Sequence, residues 1–314
     1  MSPPSSTHEA PVLMDRAFEA SSLSVLNVQV PSARVQVGPR TDDERVHVLG
    51  VVLDSNADQA SEVLHRRGLT TKRSHDQLSI AGTALENDPD TWRWRRKHRA
   101  SVQLDVAIPP AIDLKIHAPG GTVNVSDLLG AVSLDVMGGT VEAEGLHGDL
   151  DVRGGGGLLA VRNGADMALD LQWTSGTVAL EDVEATSTTL RSVAAPTTVQ
   201  SVRGSMEVTV QGAALHLQDV GGCCEAGVRG GALTYRGAPS EETHLETVGG
   251  PLRVYLPSSH AADLRLSGES VRVDEAFDFE GQENARGTEG RLNGGGPPLY
   301  LRAVQDVARC LPRS

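Results

Sequence analysis

The chain is short of aromatic residues. Phe, Trp and Tyr make up 3% of its 314 residues, so its core must be assembled from Val, Leu, Ile and Ala rather than large rings. Cysteine is scarcer still, at three residues. A disulfide framework needs more, and the neighbours Cys223 and Cys224 would bridge only with strained geometry. No apolar run approaches the roughly 18 residues of a membrane span. Met1 to Asp15 carry neither a basic n-region nor an apolar h-region, so no signal peptide is expected. Positive charge is in deficit, with 28 Lys and Arg against 41 Asp and Glu, a formal net charge of −13. That balance opposes a general nucleic-acid role, which needs a dominant basic surface. These absences point to a reduced, soluble, cytoplasmic protein.

Reaction motifs are missing as well. No stretch matches the Walker pattern, and the Gly154–Gly157 run lacks the third glycine of a dinucleotide loop. HExxH, CxxC and G-x-S-x-G do not occur, and the ten histidines are scattered without ligand spacing. The sequence therefore offers no catalytic residue, no cofactor and no metal site.

What the chain does have is glycine and period. Its 34 glycines exceed an average share of roughly 7%, which suits a core of short strands and tight turns. Residues 1–20 read as a flexible tail. Residues 21–81 read as a small β-β-β-α-β unit: alternating Leu26, Val28 and Val30, then Val35 and Val37, then Val46, Val48 and the run to Leu53. The helix has Ser55 as its cap, Ala57, Ala60, Val63 and Leu64 on one face, and Gly68 at its C-terminal stop. Leu78 and Ile80 begin a further strand.

From residue 82 to 276 the pattern is a ladder. The pair Val123 and Val125 recurs as Val141/Ala143, Leu159/Val161, Val178/Leu180, Thr197/Val199, Leu215/Leu217, Leu233/Tyr235, Leu252/Val254 and Val271/Val273, in steps of 18 or 19. One step back gives Leu104/Val106. A second line runs through Leu114, Val132, Leu150, Leu169, Thr188, Met206, Cys224, Thr243 and Ala262. A third marks the turn between them: Leu128, Leu146, Val183, Val202 and Val220. Glycine pairs such as Gly120-Gly121 and Gly249-Gly250 open many of the steps. The expected fold is all-β: a β-solenoid of about ten coils with a small N-terminal α+β cap. Residues 277–314 read as an insertion (277–298), a last coil around Leu299–Leu301 and a tail.

The glycine-led stretches GGTVNVSDLLGAVSLDV and GGTVEAEGLHGDLDV, with the closing LNGGGPPLYLRAV, resemble the bacterial adhesin-like β-solenoid domains of unknown function, over roughly residues 21–305. The resemblance implies a solenoid and no activity, and it hands over no site residues. An adhesin would be exported, and the missing signal speaks against adhesion here.

Two surfaces are candidate sites. In the segment Trp92–Arg99, an extended backbone puts Arg93, Arg95, Lys97 and Arg99 on one face and Trp92 and Trp94 on the other. Cations interleaved with aromatics suit an anionic partner, and they equally suit an edge strand guarded by charge. The second surface is an acidic stripe of Asp151, Asp170, Glu207, Glu225 and Asp263 on outward positions. It suits Ca²⁺ or a basic partner, although a solvated face accounts for it as well. Cys224 falls on the inward line, which makes it a buried structural thiol, with Cys223 outward. The function these features favour is a non-enzymatic scaffold that binds another protein or itself. The alternatives are a self-assembling filament subunit and a polysaccharide-active β-helix. The last needs aromatic platforms, of which the outward positions show little beyond Tyr255.

Overall fold

The computed structural model describes residues 11–53, 68–82, 101–284 and 287–313. Among them every regular element is a strand, 23 in all, and the protein is all-β. The helix expected after Ser55 falls on 54–67, outside the described residues, and so does Trp92–Arg99. The chain forms two compact units, Met1–Gly139 and Thr140–Ser314.

The first unit contains β1 (Val12–Glu19), β2 (Val25–Gln29), β3 (Ala33–Pro39), β4 (Arg45–Leu53), β5 (Leu69–Ser74), β6 (Gln77–Gly82), β7 (Ser101–Ile108), β8 (Asp113–His117), β9 (Thr122–Ser126) and β10 (Val132–Met137). On one side β6, β2, β8 and β10 lie parallel in that order, with β5 antiparallel outside β6. On the other, β7, β3 and β9 lie parallel, with β4 and then β1 antiparallel outside β7. Period-2 alternation drives both sets. Leu78, Leu26, Leu114 and Val132 form one inward line and Leu104, Val35 and Val123 another, each at most 2% exposed.

Three sequence expectations need correction in this unit. Val12–Glu19 is not tail but strand, paired along β4. Leu69–Ser74 adds a strand that the pattern did not mark. Leu104 and Val123 are 19 apart yet not neighbours, because Val35 of β3 stands between them. β3 carries the same inward triplet, Ala33, Val35 and Val37, and fills the slot that sequence spacing assigned to a direct step.

The second unit contains β11 (Thr140–Glu144), β12 (Leu150–Arg162), β13 (Ala165–Val193), β14 (Thr197–Gln211), β15 (Leu215–Gln218), β16 (Cys224–Arg229), β17 (Leu233–Arg236), β18 (Thr243–Val248), β19 (Leu252–Leu256), β20 (Ala262–Val273), β21 (Phe279–Asn284), β22 (Gly287–Leu292) and β23 (Pro298–Pro312). Val141, Leu159, Val178, Thr197, Leu215, Leu233 and Leu252 stand opposite one another in unbroken parallel register. Each is fully buried. Full burial of a Val or Leu side chain contributes roughly 1.5–3 kcal/mol, so this line is a main source of cohesion. Thr188, Met206, Cys224 and Thr243 form the second line.

Two further columns hold the corners. Gly145, Asn163, Asp182, Ser201 and Asp219 share a positive φ, as do Gly156, Ser175, Ala194, Gly212, Gly230 and Gly249. Neighbours in each column are 18 or 19 residues apart, the same steps as the buried lines. The glycine pair at 249–250 shows why two are needed. Gly249 takes a φ of +70° or so, here 72°. A Cβ on Gly250 would strike the Gly231 carbonyl directly.

The C-terminal end departs from the expected order. Thr243 faces Leu299, not Ala262, and Leu252 faces Ala308, not Val271. β23 lies between β18–β19 on one side and β20 on the other. Leu264, not Ala262, meets Leu299 on that far side, and Ala262 faces Leu292 of β22. The expected last coil is thus interposed one place early. The 277–298 insertion is chiefly the β21–β22 hairpin, which covers β20 antiparallel. The second half of β20, Ser270–Val273, pairs only with β23 among the described strands, and Val271 and Val273 are half-exposed.

Candidate functional site: a charged groove on the parallel face

The outward side chains of β14, β16, β18, β23 and β20 line a groove of about 660 Å³. Its shape follows from register. Side chains on one face of a strand recur every second residue, and neighbouring strands lie ~4.8 Å apart, so outward residues form rows across the sheet. One row reads Glu207, Glu225, His244, Tyr300, Arg265 and Glu289. The next, two residues on, reads Arg191, Thr209, Gly227, Glu246, Arg302 and Ser267. The third includes Gln211, Arg229, Val248 and Val304. Thr209 and Gly227 are short neighbours, so the middle row is low there, flanked within the row by the longer Arg191 and Glu246.

Most charges in the groove are paired across strands. The Tyr300 ring stacks on His244 at 4.3 Å with an interplanar angle of 23°. The Arg265 guanidinium stands 5.8 Å from its centroid. Both Tyr300 faces are therefore occupied. His244 Nε2 lies 2.7 Å from Glu242 Oε1, and Arg265 donates to Glu289 at 2.8 Å, which holds the guanidinium pKa above its ordinary value. Arg302 approaches Glu246 at 3.7 Å and Arg191 approaches Glu207 at 3.8 Å. Glu225 and Arg229, both exposed, have no ion-pair partner among the described residues.

The predicted acidic stripe is not one stripe. Asp151 stands opposite Asp170 in β12 and β13, with Arg153 3.3 Å from Asp151. Glu207 faces Glu225 in the groove, but its other neighbour is Thr189. Asp263 leaves the row: the two-residue offset of β20 puts Arg265 beside Tyr300 and sets Asp263 against Pro298, 3.9 Å from Arg291. Among the described residues, no three His, Cys, Asp or Glu side chains gather to hold a metal ion. Cys224 is buried and Cys223 exposed; burial pushes the Cys224 thiol pKa up to about 12.

Sequence reasoning missed Tyr300, His244, Arg265 and Arg302. Their outward phase was legible, but their meeting depends on β23 entering between β18 and β20, which no local spacing reports.

No protein-family model matches the chain, and no curated protein matches it at a significant level. Solved structures that the chain matches include a "putative cell adhesion protein" from Clostridium sporogenes ATCC 15579, 9% identical, with a TM-score of 0.27 over 97% of this chain and 100% of that one. A "putative lipid binding protein" from Parabacteroides distasonis ATCC 8503 is 10% identical, with a TM-score of 0.42 over 77% of this chain and 96% of that one. A "putative adhesin" from Bacteroides fragilis NCTC 9343 is 13% identical, with a TM-score of 0.36 over the same shares.

Proposed function

We propose that the protein is a non-enzymatic interaction scaffold built as a β-solenoid, and that its working surface is the groove face of β14, β16, β18, β23 and β20. The observation that carries this reading is the parallel register. It aligns side chains from five strands into rows that carry charges of both signs around one groove. Stacked strand units present such extended faces to partners. The partner proposed is another protein, and the three unbridged thiols favour a reducing compartment such as the cytoplasm.

The test compares three immobilised proteins. One is the native chain, one carries Glu207, Glu225, Arg265 and Arg302 each replaced by Ser, and one carries the remote pair Asp151 and Asp170 replaced by Ser. Circular dichroism verifies that all three fold alike. Partners held by the native chain should be lost by the groove variant and kept by the remote one. Equal retention by all three would defeat the reading.

A second reading, a self-assembling filament subunit, is favoured by the Ser270–Val273 edge, which pairs only with β23 among the described strands. Unpaired strand edges add strands from other chains. Size-exclusion chromatography separates the two: filaments elute in the void volume, a scaffold as a monomer or small oligomer.

A further inference from the structure

Resting on the scaffold reading of this face, we infer that the notch over Gly227 is a binding site for an extended peptide segment with a cationic residue and a carboxylate residue four positions apart. Three observations support it. First, Glu207 and Glu225 stand directly opposite each other on adjacent strands. Like charges so placed repel, and among the described residues only Arg191, at 3.8 Å from Glu207, makes an ion pair with either of them. Second, Arg229 stands four residues along the same strand, exposed and with no acid partner among the described residues. Glu225 and Arg229 share a face and lie roughly 13 Å apart at ~3.3 Å per residue. Third, the outward residue between them is Gly227, and a Cβ there would meet nothing within 4 Å. Its φ is not in the left-handed region, so the backbone does not demand glycine. The result is a hollow over Gly227, negative at one end and positive at the other, with Glu246 beside it engaged by Arg302.

An extended peptide complements that pattern position by position. Its side chains on one face also recur every second residue. A basic residue then meets Glu207 and Glu225, the middle side chain drops onto Gly227 and Thr209, and a carboxylate meets Arg229. Sheet faces pack ~10 Å apart, a gap that long Lys and Glu side chains span. Nothing in this arrangement fixes chain sense, so Lys-x-x-x-Glu and Glu-x-x-x-Lys both fit. The discriminating features are the paired opposite charges and their even spacing.

Fluorescence polarisation with labelled, end-blocked peptides tests the inference. Acetyl-Lys-Ala-Val-Ala-Glu-amide should bind at least about tenfold tighter than its isomer acetyl-Lys-Ala-Val-Glu-Ala-amide, whose charges fall on opposite faces. It should also outbind acetyl-Lys-Ala-Val-Ala-Lys-amide by about tenfold, and Arg229→Glu should invert that second preference. Gly227→Leu should weaken the first peptide about tenfold by filling the notch, with circular dichroism and melting unchanged. Equal binding of the three peptides, absence of saturable binding, or an Arg229→Glu variant that keeps the native preference would each overturn the inference. If the Ser variant of the groove loses its protein partners while the peptides show no preference, this inference alone fails. If that variant keeps every partner, the scaffold reading fails, whatever the peptides do.

Discussion

Ala194 occupies a corner that the chain gives to glycine at every other step of the column except Ser175. Its φ is 52°, in a column with Gly156, Gly212, Gly230 and Gly249, and its methyl group is exposed. A β-carbon in this region costs about 1–2 kcal/mol, and glycine's greater unfolded freedom gives back about 0.5–1 kcal/mol. Ala194→Gly should therefore stabilise the protein by about 0.5–1 kcal/mol in urea unfolding, and a loss of stability would refute the strain. Inside and outside are sharply divided at this scale. Leu150 is 1% exposed, while the Asp151 side chain beside it is 41% exposed. An unpaired buried carboxylate costs several kcal/mol, so Leu150→Asp should unfold the chain or open it to protease. Asp151→Leu should lower the melting temperature far less. Equal shifts would reverse the assignment of faces. The buried lines were legible from Val141 to Leu252 because apolar residues return every 18 or 19 positions. The corner columns were legible only where glycine marks them. Asn163, Asp182 and Ser201 fill the same backbone role with residues that sequence alone reads as ordinary polar turn residues.

At the level of elements, β23 departs furthest from what the sequence shows. Its inward residues Leu299, Leu301, Ala308 and Cys310 are all at most 2% exposed, so strand and phase could be read locally. Its place between β18–β19 and β20 could not, since Thr243 and Ala262 keep the same spacing whether or not another strand separates them. The same holds for β3 between β7 and β9. The candidate site inherits this difficulty: Glu207 and Glu225 lie in a stretch where sequence neighbours are spatial neighbours and were found, whereas Tyr300 and Arg265 were not. The end of β23 is fastened by Arg313, which donates to both Asp219 oxygens at 2.6 and 3.3 Å. That guanidinium holds the Asp219 carboxyl below its ordinary 3.8. A depressed carboxylate stabilises the fold at pH above its unfolded value, and the effect is lost as pH falls through the folded one. Both side chains are more than a third exposed, 39% and 43%, so the pair contributes on the order of 0.2–1 kcal/mol. The amides of residues 308–311 and 313 should exchange about 1.4- to 5-fold faster in Asp219→Asn at neutral pH. Wild type should approach the same rates, corrected for intrinsic exchange, as the pH drops below the ordinary carboxylate value. Unchanged protection in the variant would show that the clamp is idle.

For the molecule as a whole, this order of strands makes the end of the chain structurally indispensable. Ending it at residue 297 would leave β18 and β19 with an open edge and deprive β20 of its parallel partner. Such edges recruit strands from other molecules, and a net charge of −13 only partly opposes that. The truncated chain should scatter light as an aggregate, and a synthetic peptide of residues 298–312 added during refolding should restore a monodisperse protein. A truncated chain that stays monodisperse with an unchanged melting temperature would show that β20 can settle directly on β18 in the old 19-residue step.

The interposed strand also sets a schedule for synthesis. Strands β12 to β19 meet partners made only 18 or 19 residues earlier, so most of the second unit can assemble as it leaves the ribosome. β18 cannot complete its pairing then, because its partner starts at residue 298 and β20 is made first. At roughly 5–20 residues per second, the interval between the end of β18 at Val248 and the arrival of Val304 is about 3–11 s. During that time a wrong neighbour with the right spacing is already in place and the right one has not been translated. The nascent chain must therefore hold β20 away from β18, or release it, before the last strand arrives.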